Sequence, residues 1–108
     1  MSDIFVTIRN ESGVAMNSID GESVIAIVKK DGLIYDEQPV SLRFADAQFY
    51  NFPLGKCTVV AKHSALNPAE AEQEVELSNR EILEVRYIYL ESERQLLRVE
   101  INSYSMDE

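Results

Sequence analysis

From Asp3 to Arg9 apolar and polar residues alternate, with Ile4, Val6 and Ile8 on one face and Phe5, Thr7 and Arg9 on the other. Successive side chains of a strand point to opposite faces, so this run reads as a first strand with one buried face. Asn10–Gly13 reads as a turn and Val14–Asp20 as a loop. Ser23–Lys30 is rich in β-branched residues with little polar alternation, which suits a strand covered on both faces. Asp31-Gly32 follows as a hairpin signal, because a type I′ turn needs positive φ at both central residues. Leu33–Tyr35 begins the return strand. Asp36–Pro39 interrupts it, and Val40, Leu42 and Phe44 resume the alternation. Ala45-Asp46 turns the chain into Gln48–Phe52.

The stretch Phe49–His63, FYNFPLGKCTVVAKH, is the organising segment. Pro53 fixes its own φ and pushes Phe52 to an extended conformation. Gly55 accepts positive φ without steric cost. The result is a strand, a tight corner and a second strand. In that second strand Cys57, Val59 and Ala61 face inward, while Lys56, Thr58 and Lys62 face outward. Val60 breaks the alternation and predicts a second apolar contact on the outer face. Ser64–Ala69 is a loop, since Pro68 biases Asn67 away from helix.

Residues 70–77 contain good helix formers, yet their period is 2. Glu70, Glu72, Glu74 and Glu76 alternate with Ala71, Gln73, Val75 and Leu77. A strand is expected, with a short helical turn at its start as the alternative. Ser78–Arg80 turns the chain. Glu81–Leu90 is strongly strand-like, with Leu83, Val85, Tyr87 and Tyr89 on one face. A polar turn at Glu91–Arg94 leads to a last strand, Leu96–Asn102, with Leu97, Val99 and Ile101 inward. About seven to eight short strands with regular turn signals and no convincing helix predict one all-β Greek-key sandwich. It spans residues 1–102, with a flexible tail at 103–108.

Phe49, Asn51, Phe52, Pro53, Gly55, Thr58 and Val59 resemble the F-x-[ND]-L-P-x-G-x-Y-T-[LV] signature of small prealbumin-like sandwiches. These include the collagen-adhesin B-type repeats and the carboxypeptidase regulatory-like domains. Cys57 stands where that signature has tyrosine. The resemblance implies a prealbumin-like fold and an accessory, non-catalytic role. Similar enzymes that hydrolyse hydroxyisourate end in a Tyr-Arg-Gly-Ser-type motif and use more than one histidine. This chain ends Tyr104-Ser105-Met106-Asp107-Glu108 and has one histidine, so that activity is rejected.

At 108 residues the chain is one domain's length. Its net charge of −9 argues against nucleic acid and acidic membrane surfaces as partners, since both require a basic patch. A protein partner of basic character fits better. No apolar stretch approaches a membrane span, and the acidic Met1-Ser2-Asp3 start lacks the features of a secretory signal. With the lone Cys57 the expected setting is cytoplasmic.

The candidates for chemistry are few. His63 as a general base needs a partner that the sequence does not show. Cys57 and His63 lie roughly 20 Å apart on one extended strand, too far to share an ion, and no zinc-type spacing occurs. No metal or cofactor is expected. Glu70, Glu72, Glu74 and Glu76 form an outward acidic face, suited to solvent or to docking a basic partner and too spread for calcium. Tyr35 and Tyr50 are the candidate exposed aromatics. The leading expectation is a non-catalytic interaction module using the acidic face or the loops near Tyr35, Tyr50 and His63. A small-ligand or carbohydrate-binding sandwich is the alternative, and a small hydrolase using His63 the third. A homo-oligomer through a sheet edge is also compatible.

Overall fold

In the computed structural model, which describes residues 1–105, the alternating segments form ten strands. They are β1 (Ser2–Asn10), β2 (Ser18–Ile19), β3 (Glu22–Ser23), β4 (Ile25–Lys30), β5 (Leu33–Pro39), β6 (Asp46–Phe52), β7 (Gly55–Lys62), β8 (Glu70–Leu77), β9 (Glu81–Leu90) and β10 (Gln95–Ser105). One four-stranded sheet has the order β10-β9-β1-β6 and the other β5-β4-β7-β8, while β2 and β3 form a small separate hairpin. β1 and β9 run parallel; the other pairings are antiparallel. The chain is therefore a β-sandwich.

The core lies between the two inner faces. Ile4, Val6, Ile8, Phe49, Leu83, Val85, Tyr87 and Tyr89 from one sheet meet Ala26, Val28, Cys57, Val59, Ala61, Ala71 and Val75 from the other. Phe49 and Phe52, from the organising segment, are both buried, with ring centroids 6.4 Å apart in an edge-on arrangement. The corner between β6 and β7 turns on Gly55, at φ +105°. Asn51, at φ +59°, adds a second left-handed residue, a conformation that Asn tolerates better than most. Asp31 and Gly32 both take positive φ, as the β4–β5 hairpin requires.

Val60 and Ile27 are buried but lie outside the main core, on the outer face of the second sheet. They face each other across β7 and β4, between Glu72 and Glu37 in the adjacent strands. This is the second apolar contact that Val60 predicted.

Several expectations need correction. β5 is continuous through Asp36–Pro39, and Val40–Phe44 is not a strand. Leu42 and Phe44 are 73% and 56% exposed. The turn is closed instead by polar contacts: Ser41 Oγ bonds to Asp46 Oδ1 at 2.8 Å, and the Ala45 N–H donates to Ser41 O at 3.0 Å. The loop expected at Val14–Asp20 holds β2. β10 extends to Ser105, past the expected boundary at Asn102, and residues 106–108 of the expected tail lie outside the described residues. A bulge between Leu96 and Arg98 takes Leu97 out of the alternation: Leu96 packs on the core and Leu97 is 47% exposed, while Val99 and Ile101 stay on the inner face opposite Tyr87 and Val85, with Ile101 45% exposed at the sheet edge.

Tyr87 and Tyr89 make a stability test. The Tyr87 hydroxyl reaches across the sandwich to Val59 O at 2.9 Å and Ala71 O at 3.0 Å. Tyr89 Oη is buried with no hydrogen-bond partner among the described residues. Burial pushes both phenols up out of the normal tyrosine range. Tyr87→Phe should cost about 0.5–1.5 kcal/mol, whereas Tyr89→Phe should be neutral or stabilising. Urea unfolding midpoints of the two variants check this contrast.

Candidate functional site

β8 is an edge strand of the second sheet. Its inner face buries Ala71, Val75 and Leu77, so the period of 2 forces Glu70, Glu72, Glu74 and Glu76 outward, and all four are exposed. The whole segment is strand from Glu70 onward, with no helical start. Register with β7 sets Glu70 opposite Lys62, Glu74 opposite Thr58 and Glu76 opposite Lys56. Lys29 on β4 reaches Glu72 at 3.6 Å. The lysines thus stand inside the sheet's outer face and the carboxylates form its rim. Pairs of this exposure contribute little to stability, about 0–1 kcal/mol.

His63 sits at the end of β7, 6% exposed. The Ala65 N–H can only donate, so Nδ1, 3.0 Å away, must accept. The ring proton therefore lies on Nε2, which faces Ile19 O at 3.0 Å and Glu22 O at 3.2 Å. Both nitrogens are committed to backbone groups, and the ring ties the β2–β3 corner to the loop after β7. A bidentate ion pair closes the same end of the molecule: the Arg94 guanidinium meets the Asp20 carboxylate at 2.7 and 2.8 Å. Arg94 holds the Asp20 carboxyl below its ordinary range. The adjoining cleft, about 390 Å³, is lined by Met16, Ile19, Asp20, Glu91 and Arg94 among others. It is a polar recess with the ion pair in its wall.

The remaining candidates, Tyr35 and Tyr50, lie away from both the acidic face and His63. Tyr35 on β5 rests its ring on Phe52, centroids 4.4 Å apart. Tyr50 on β6 meets Phe5 edge-on at 6.2 Å and bonds through its hydroxyl to Gln48. Both tyrosines are exposed, as are Phe44 and Tyr104. Tyr35 and Tyr50 share the flank opposite β8, so the acidic face, the tyrosines and His63 do not converge on one site. Sequence reasoning missed the Asp20–Arg94 pair, whose two partners are too distant along the chain to carry a local signal.

Cys57 is buried, and burial pushes its thiol up. A thiol so placed is a poor nucleophile. Native protein should resist alkylation by iodoacetamide at neutral pH, and reaction should appear only with unfolding, measured by mass shift across a urea series. Among the described residues no group of three or more His, Cys, Asp or Glu side chains converges to hold a metal ion. No helix among them is long and apolar enough to cross a membrane. Comparison with known protein families, curated proteins and solved structures gives no match to this chain.

Proposed function

We propose that this prealbumin-like sandwich is a non-catalytic interaction module that binds a basic protein segment along β8. One observation carries the reading: four glutamates project from one face of an edge strand whose outer backbone edge bears no further strand among the described residues. A partner strand added there would gain ladder hydrogen bonds from the backbone and specificity from its side chains. Alternate lysines or arginines would meet the carboxylates across the new pair. The prealbumin-like assignment is supported by the corner itself, where Phe49, Phe52 and Val59 fill the core and Asn51 and Gly55 take positive φ.

The test uses a labelled peptide that alternates lysine and threonine. Each cross-strand charge pair contributes about 0.2–1 kcal/mol. Replacing Glu70, Glu72, Glu74 and Glu76 by Gln should therefore weaken binding about tenfold or more, and rising salt should weaken binding of the unaltered protein. A second variant with Glu11, Asp31, Asp36 and Glu93 neutralised changes net charge equally and should bind nearly as well as the original. Equal loss in both variants would show general attraction to an acidic protein and sink the β8 assignment.

A further inference from the structure

The sandwich has four edge strands, β5, β6, β8 and β10. Exposed edges invite pairing with other chains, and natural sheets blunt them with charge, proline, bulges or bends. β8 carries four like charges on its outward face, which repel a second copy of the same strand. β5 carries Asp36 and Glu37, ends in Pro39, and bulges where it leaves β4 at Val28/Lys29. On β6, Gln38 caps the Gln48 carbonyl at 2.9 Å, the left-handed Asn51 bends the strand, and Pro53 follows.

β10 differs. It is the longest of the described strands, has no proline, its bulge lies before the open run, between Leu96 and Arg98, and its Arg98 and Glu100 neutralise each other at 2.7 Å. Its N-terminal end is covered, because the Leu96 N–H donates to Asn67 O and the Asn67 N–H to Arg94 O, both at 2.9 Å. From Arg98 to Tyr104 no other described strand lies along its outer edge, and within that run Ile101 is 45% and Tyr104 53% exposed.

We propose that this edge pairs with a second copy of the chain, antiparallel, about a two-fold axis at Ile101. That register uses the whole open run from Arg98 to Tyr104 and stops short of the Asn67 loop. It sets Ile101 opposite Ile101 of the second copy, Val99 opposite Ser103, Glu100 opposite Asn102, and Arg98 opposite Tyr104. The Glu100 carboxylate accepts from the Asn102 amide, and the Arg98 guanidinium meets an aromatic ring, an attractive pairing. Moving the axis by one residue to Glu100 opposes two glutamates. Moving it to Arg98 opposes two arginines. Moving it to Val99 pairs Arg98 with Glu100 but drives residues 102–104 of the second copy into the Asn67 loop. The result is an isologous dimer, with the first sheets of both copies joined into one. This inference rests on β10 alone and is independent of the β8 reading.

Sedimentation equilibrium from about 1 µM to 1 mM tests association. The chain should dimerise, and because backbone and apolar contacts carry the contact, rising salt should not weaken it. Ile101→Lys opposes two like charges at the axis and should raise the dissociation constant at least about tenfold. Leu42→Lys, on the exposed turn before β6, should leave it unchanged. Register is tested separately by cysteine. Directly opposed Cα atoms lie about 4.5–5.5 Å apart, within reach of a disulfide. Ile101→Cys should therefore cross-link two copies on mild oxidation. Val99→Cys should not, since four residues of offset separate the two thiols by about 13 Å. A monomer throughout the range, a dimer indifferent to Ile101→Lys, or cross-linking through position 99 in place of 101 would overturn the proposal.

Discussion

Phe52→Ala should lower the unfolding free energy by about 3–5 kcal/mol, the usual cost of emptying a buried aromatic site. Phe52 is 2% exposed and touches two rings, Phe49 edge-on and Tyr35 at 4.4 Å between centroids. It also stands immediately before the Pro53 corner, so the void would open where β6 crosses to β7. For a domain of this size about 4 °C or more of melting temperature goes with each kcal/mol, so calorimetry should register a drop of well over 10 °C. The Tyr35 contact is separable: a double-mutant cycle between Phe52→Ala and Tyr35→Ala should give a coupling of about 0.5–1.5 kcal/mol. A loss below about 1 kcal/mol would mean that Phe52 is not a core residue.

His63→Ala should cost about 1–3 kcal/mol, because it strands the buried carbonyl of Ile19, while the carbonyl of Glu22 and the N–H of Ala65 are only part-buried and can turn to water. Hydrogen exchange should quicken first at Ser18–Ser23 and in the loop after β7, because these are the segments that the ring joins. Binding at β8 should survive in the folded fraction. A stable His63→Ala protein that loses an activity would reverse the assignment and return the histidine to a chemical role.

Local signals carried much of this fold. The β6–β7 corner was legible because Phe52, Pro53 and Gly55 constrain their own dihedral angles. β8 was legible because one face is buried and the other wet, and β9 because Leu83, Val85, Tyr87 and Tyr89 line one buried face. β5 was not, since nearly all of it is exposed and an edge exposed on both faces imposes no alternation. The inward assignment of Leu97 failed on a single bulge, while Val99 and Ile101 keep the inner face opposite Tyr87 and Val85. The β2–β3 hairpin has two residues in each strand and is held by His63 and by the Asp20–Arg94 pair. No local pattern can announce contacts across forty or seventy residues, and the same holds for the parallel pairing of β1 with β9. Of the candidate site, the acidic face was readable as four glutamates at a period of 2. The commitment of both His63 nitrogens to backbone was not.

The decisive measurement is a titration of isotope-labelled protein with the lysine-threonine peptide, followed by backbone amide chemical shifts. Binding along β8 predicts that the largest shifts fall on Glu70–Leu77, with smaller ones on the facing residues of β7, and little change at Tyr35, Tyr50 or Arg98–Tyr104. Shifts centred on the tyrosine flank or on the Asp20–Arg94 recess, with β8 unmoved, would contradict the proposal that the acidic edge is the binding surface.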